Sequence, residues 1–415
     1  MSPTIVKAAD AAQFLSFVPR MLGFRPVRSL VVIPFRGTRS LGAMRFDLPP
    51  DDESVERIAS TVVGMVCRLP DADAIAAIVY TDARFTGDGM PHRALLDALA
   101  FRADACGVGV CDLLCVAADA WASTLDPASP PAGRALGELD LDDPELDDLP
   151  VPDGDQASGA ELPECPPDQR ARVARAMGEL QRALSLLGGP DPYPGPEPHA
   201  GPGSAEAAMA TEAAPTDDLG PVPAPVGGEP EDEASTDPST ERIDPRALAA
   251  VGRLDDLPEL FERVLQPEPE SLDAYDLAAL AWCLARPSLR DIALVQWSGN
   301  LAQGDEALRA QLRWESGEEY PPHLAMRMWG EGDAPSPARL DTALRLARLV
   351  AASIPREAQP GALAMCAWLA WALGRSTHAA EYAHGACAVE PDHGLSQIVL
   401  SFVSAGHLPD WAFRR

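Results

Sequence analysis

Asp47, Asp82, His92 and Asp119 are the side chains in this sequence best suited to do chemistry. Three carboxylates brought to one place would supply oxygen ligands to Mg²⁺, with water completing the shell. A histidine beside them serves as general acid or base, and the group as a whole suits nucleotide or phosphoester chemistry. The competing reading gives the same aspartates to helix caps and solvated turns, where Asp is common. Thr81, Arg84 and Asp88 share the stretch between Asp82 and His92, and Gly87 and Gly89 loosen it.

The elements that must position these residues can be read from hydrophobic patterning. Residues 29–35 and 41–48 are strand formers flanking a polar turn at 36–40, which reads as a β-hairpin. A helix is expected over 55–69, where Val55, Ile58, Val62, Met65 and Val66 recur at helical spacing after the capping residues Asp51, Asp52 and Ser54. The run AIAAIVY at 74–80 reads as a strand buried on both faces. A helix over 92–105 and a strand over 108–116 follow. An earlier helix over 8–18 is expected to break at Pro19.

The order β-β-α-β-α-β predicts an α/β domain with a mixed sheet. Its two crossover helices make strands two, three and four mutually parallel, and the opening strand pairs antiparallel with the second. Ligands of open α/β sheets gather outside the carboxyl ends of parallel strands. Asp47, Asp82 and Asp119 each follow such an end.

Other residues invite chemistry more weakly. Arg45 and Asp47 are two apart on one strand and share a face, so they pair, grip a ligand, or anchor Arg290 or Asp291 across an interface. Cys106, Cys111 and Cys115 are spaced by five and four, which is no zinc-ligand pair. His378, His384, His393 and His407 lack ligand spacing and read as packing or surface residues. Walker A, GxGxxG and GxSxG motifs are absent.

The formal charge of −30 is concentrated. Residues 126–165 hold twelve acidic residues and one Arg, and residues 188–240 hold eleven with no Lys or Arg, together −22 of the total. Both tracts are Pro-rich and read as disordered linkers. Arg20, Arg25, Arg28, Arg36 and Arg39 form a basic cluster that the tethered acidic tracts can reach.

The expected organisation is an α/β domain at 1–124, an acidic linker at 125–167, an isolated helix at 168–187, a second linker at 188–243 and a helical domain at 244–415. In the last, Gly374, Ala379, Ala386 and Pro391 follow the second half of a tetratricopeptide (TPR) unit, predicting a TPR-like helical hairpin. The start MSPTIVKAAD does not read as a signal peptide, and no run of eighteen apolar residues marks a membrane span. Eight cysteines without secretory context suggest free thiols in the cytoplasm.

LGFRPVRSLVVIPFRG, MRFDLP, RDIALVQW and the ending AWLAWALG…AVEPDHGLSQIVLSFVSAGHLPDW resemble an actinobacterial family, the domain of unknown function 4192. The resemblance extends over residues 8–124 and 246–415. It points to Gly23, Phe24, Pro26, Ser29, Arg45, Asp47, Arg290, Asp291, Trp297 and Trp411, and implies no activity or cofactor. Where the family carries an Arg-Trp pair after the fourth strand, this chain has Ala120 and Trp121. Arg28, Ser29, Arg45, Arg290, Asp291 and Trp297 are accordingly the expected ligand or interface residues.

Three functions stand as expectations. The first is a non-enzymatic protein-interaction or scaffolding module with an unidentified protein partner and no cofactor. The second is a Mg²⁺-dependent nucleotide or phosphoester enzyme at the sheet edge. The third is a nucleic-acid binder gated by the acidic linkers, which the charge disfavours.

Overall fold

The computed structural model describes residues 8, 10–49, 55–86, 89–139, 151–188, 243–265 and 268–413. Helix α1 (Ala11–Leu22) starts at Asp10, whose carboxylate accepts the Gln13 N–H at 2.9 Å. It runs past Pro19 and ends at Gly23 in the left-handed region (φ 81°). The break expected at Pro19 does not occur. Only the bond that its missing N–H would donate is lost, and the buried Leu15 and Val18 hold the helix on the sheet.

The hairpin is β1 (Ser29–Arg36) with a broken partner strand, β2 (Arg39–Ser40) and β3 (Met44–Asp47), both antiparallel to β1 along one side. Helix α2 (Val55–Cys67) leads to β4 (Ala74–Tyr80), and α3 (Arg93–Ala105) leads to β5 (Gly109–Val116). β4 inserts antiparallel on the other side of β1, and β5 lies parallel beside it. Two short strands not expected from the sequence, β6 (Ala120–Ser123) and β7 (Arg134–Ala135), extend the sheet to seven. β3, β4 and β5 run in one sense as expected, but β1 separates the first two.

Alternation divides the sheet's side chains between two cores. Leu30, Val32, Ile75, Ala77, Val79 and Leu113 pack under α2 and α3. Val31, Ile33, Ile78, Tyr80, Leu114 and Trp121 pack with α1. In place of the Arg-Trp pair, the Arg134 guanidinium of β7 lies 5.8 Å from the Trp121 ring centre.

The second unit is all-helical. Its first element is α4 (Pro167–Gly188), which is not the isolated helix expected: Val173, Ala176, Leu180 and Ala183 are buried in the same core as the later helices. Then come α5 (Pro245–Leu254), α6 (Leu257–Val264), α7 (Ala274–Leu284), α8 (Pro287–Ser298), α9 (Leu301–Glu315), α10 (Pro322–Met328), α11 (Pro337–Ser353), α12 (Pro360–Ala372), α13 (Ser376–Cys387) and α14 (Gly394–Ser404). All of α12 is buried, the expected outcome for a helix apolar on every side. No described helix is long and apolar enough to cross a membrane.

The acidic tract at 125–167 is described in part, and those parts are folded. Asp126 pairs with Arg134 at 2.6 Å, and residues 151–165 form a strap between the two units. On the sheet side, the Arg25 N–H donates to Gly154 O, and the Asp153 N–H donates to Gly23 O. The Gln156 amide exchanges two 3.0 Å bonds with the Val27 backbone. On the helical side, Ser158 O meets His378 Nε2 at 3.1 Å, Glu161 O accepts from Arg348, and Cys165 is buried against Ser353. On the sheet side, backbone groups and one neutral amide therefore carry the contacts, while Arg28 and Arg36 pair with Asp82 and Asp71. The second acidic tract, but for its end residues, lies outside the described residues.

Candidate functional site

The strand register defines one edge of the sheet. Ser29 stands opposite Asp47 on one side and Tyr80 on the other, and Tyr80 stands opposite Val116. Arg28, Asp47, Thr81, Asp82 and Asp119 therefore all belong to this edge. Two non-glycine residues here have left-handed backbone, Arg28 (φ 44°) and His92 (φ 55°). Such conformations cost about 1 kcal/mol or more and are retained where the surroundings impose them. Arg28 Nε lies 4.0 Å from Asp82 Oδ2, both well exposed. His92 Nε2 lies 3.2 Å from Thr81 Oγ1, which also accepts the Ala83 N–H.

The three aspartates do not converge. β1 stands between β3 and β4, so Asp47 and Asp82 are about two strand spacings apart, roughly 10 Å. Asp47 is taken by Arg45 at 2.5 Å. Asp119 accepts the Phe85 N–H at 3.1 Å and so pins the loop after β4. Among the described residues no three His, Cys, Asp or Glu side chains stand where they would hold a metal ion, so the Mg²⁺ cage expected here is not formed. Asp88 and Gly87 lie outside the described residues.

Arg45 has a different role on the same edge. Its Nε donates to the hydroxyl of the fully buried Ser29 at 2.8 Å, and that hydroxyl donates in turn to Val27 O. Its second nitrogen reaches Thr377 Oγ1 of α13 at 3.1 Å, and its third pairs with Asp47. Arg45 thus joins sheet and helices, but through Thr377 rather than Arg290 or Asp291. Arg45→Met should cost about 1–3 kcal/mol in urea unfolding, because a buried hydroxyl loses its donor and the junction loses a charged bond. A cycle with Thr377→Val tests the junction; fully additive losses would deny the coupling.

Arg290 and Asp291 anchor a second polar cluster, inside the helical unit. Arg290, on α8, is buried and holds Asp291 at 3.0 Å. Its third nitrogen lies 3.5 Å from His393 Nε2 at the head of α14, and His393 Nδ1 lies 3.0 Å from Ser396 Oγ. Burial pushes the carboxyls of Asp291 and Glu390 up, and Arg290 opposes both shifts. Burial, then Arg290, push the His393 imidazole down to about 4. Nδ1 accepts the Ser396 backbone N–H at 3.4 Å and so caps α14, a contact that a protonated Nδ1 could not make. Glu390, His393 and Ser396 were not legible as partners of Arg290, because about a hundred residues separate them in the chain.

Trp297 fills core. Its ring meets Phe261 edge-on at 6.1 Å between centroids, and Nε1 donates to Phe261 O. Trp411 likewise donates to Ala372 O at 3.0 Å. Both are packing residues rather than ligand contacts.

A sheet with α1 on one face and α2 and α3 on the other, bearing arginines at one edge, defines an α/β domain. Residues 12–140 match the model of a family described as a domain of unknown function (DUF4192). The match runs from α1 through β7, so the resemblance drawn over the helical unit lies outside it. No curated protein and no solved structure matches the chain.

Proposed function

We propose that the chain is a non-enzymatic interaction module whose helical unit docks another protein. The observation that carries this reading is a set of large apolar side chains left in solvent on and just after α9 and α10. Leu312 is 52% exposed, Trp314 50%, Trp329 49% and Met326 37%. Tryptophan at an exposed position is the side chain most enriched among residues that dominate binding energy. Supporting it, α12 ends at Gly374 in the left-handed region (φ 78°), and Ala379 and Ala386 are fully buried. Small residues there let α13 pack closely on α12, and on this ground we read the pair as TPR-like. Eight free cysteines suit work in a reducing cytoplasm.

The test is quantitative affinity capture with the full chain against its Leu312→Ser/Trp314→Ser variant. A partner held at least tenfold more weakly by the variant, at unchanged thermal stability, is the expected result. Equal recovery by both proteins would overturn the proposal.

A further inference from the structure

Helices α2 and α3 lie side by side on one face of the sheet, where Val62, Val66, Leu99 and Ala103 share a core. The Glu56–Arg102 pair joins them at 3.0 Å. Each helix delivers a cysteine at its carboxyl end: Cys67 is the last residue of α2, and Cys106 directly follows α3. Both are exposed free thiols, and they are hydrogen-bonded neighbours. Burial, then the bond to Cys106 and its charge, push the Cys67 thiol up. Cys67 is thus the member of the pair that keeps its proton, which leaves Cys106 to react first.

Cys111, the third exposed cysteine, has the charges of Asp73 and Asp112 for neighbours instead of a thiol. A disulfide holds its sulfurs about 2 Å apart, closer than a hydrogen bond does, so one of the two residues must move to close it. Gly107, next to Cys106, has left-handed backbone (φ 73°), and a Cβ there would meet nothing within 4 Å. The turn carrying Cys106 is therefore free to shift without collision. The pair also sits at a contact between the two units. Arg68, one residue after Cys67, pairs with Asp410 at 2.8 Å and lies 3.9 Å from the Phe413 ring centre.

We propose that Cys67 and Cys106 are a reversible redox pair that closes into an intramolecular disulfide when hydrogen peroxide reaches the protein. The Cys106 thiolate attacks one peroxide oxygen: an S–O bond forms, the O–O bond breaks, and the departing hydroxide takes up the proton that Cys106 released. A sulfenic acid and one water result. The Cys67 sulfur then attacks the Cys106 sulfur: the S–S bond forms, the S–O bond breaks, and the hydroxyl leaves with the Cys67 proton as a second water. Sulfur is oxidised and the peroxide reduced, and a thiol reductant reverses the bond by exchange. In a reducing compartment such disulfides are transient and serve sensing, in keeping with free thiols at rest. The pair does not depend on the docking surface on α9 and α10.

The test treats the full chain with equimolar hydrogen peroxide, alkylates it natively with iodoacetamide, and maps its peptides by mass. Cys67 and Cys106 should lose alkylation together and appear in one linked peptide pair lighter by two hydrogens, while Cys111 is still alkylated. Dithiothreitol should restore both thiols. Cys67→Ser, at unchanged Tm, should leave Cys106 as a sulfenic acid that dimedone traps, and Cys111→Ser should close the bond as the parent does. Alkylation of Cys67 and Cys106 undiminished by peroxide, a bond that includes Cys111, or a bond formed only between two chains would each overturn the assignment.

Discussion

Gly361→Ala should destabilise the helical unit by about 3 kcal/mol, although alanine is the better helix former by up to about 1 kcal/mol. Gly361 is the second residue of the wholly buried α12. A Cβ there would press into the Leu284 carbonyl at the end of α7, 2.7 Å from its carbon and 3.0 Å from Ala285 Cα. Backbone cannot turn aside as a flexible side chain can, so relief requires moving one helix against the other. Close packing makes such a shift costly. Gly178→Ala in α4, where a Cβ meets nothing within 4 Å, should instead stabilise slightly. Urea midpoints of the two variants check the contrast, and a Gly361→Ala protein as stable as the parent would refute the packing.

The second large effect is acid-dependent. His393 titrates at about 4 in the folded chain, against 6.5 for the free side chain. Between those values the unfolded chain binds a proton that the folded chain refuses. The stability this group contributes is therefore whole above pH 6.5, falls as pH drops, and is gone below about 4. The loss by pH 4.5 is about 2–3 kcal/mol. Asp291 and Glu390 work in the opposite direction, since raised carboxyls gain from protonation, and they blunt the lower end of the window. Asparagine caps a helix well and does not titrate. His393→Asn should thus keep α14 and show a smaller drop in urea stability from pH 7 to 4.5. Parallel losses in both proteins would assign the acid sensitivity elsewhere.

Periodicity made the local elements of the sheet unit legible. Residues 74–80 form β4 as read, and the expected helix at 92–105 is α3, which starts one residue later and ends where expected. The helical character expected over 244–415 is likewise found, α11 and α14 included. The order of strands was not legible, since nothing local says that β4 inserts beside β1 instead of β3. That single choice separates Asp47 from Asp82.

The strap was misread because its fold rests on backbone bonds from Gly154 and Asp153 and on the Gln156 amide, which leave no apolar period. Helix α9 shows as little apolar period, since it buries only Gly304, Ala307 and Ala310, residues too small to mark a face. At Arg45, spacing showed the pairing with Asp47. The contact with Thr377 is set by tertiary packing across 332 residues.

The strap also places the seam of the molecule away from the boundary that sequence kinship draws. The family match stops at residue 140, after β7. Yet the stretch leading into the hairpin, from Gly23 to Val27, has backbone N–H and C=O groups whose partners come from residues 153–156. The matched stretch and the hydrogen-bonded unit therefore differ in extent, and part of what holds the sheet's first strand in place is written beyond residue 140.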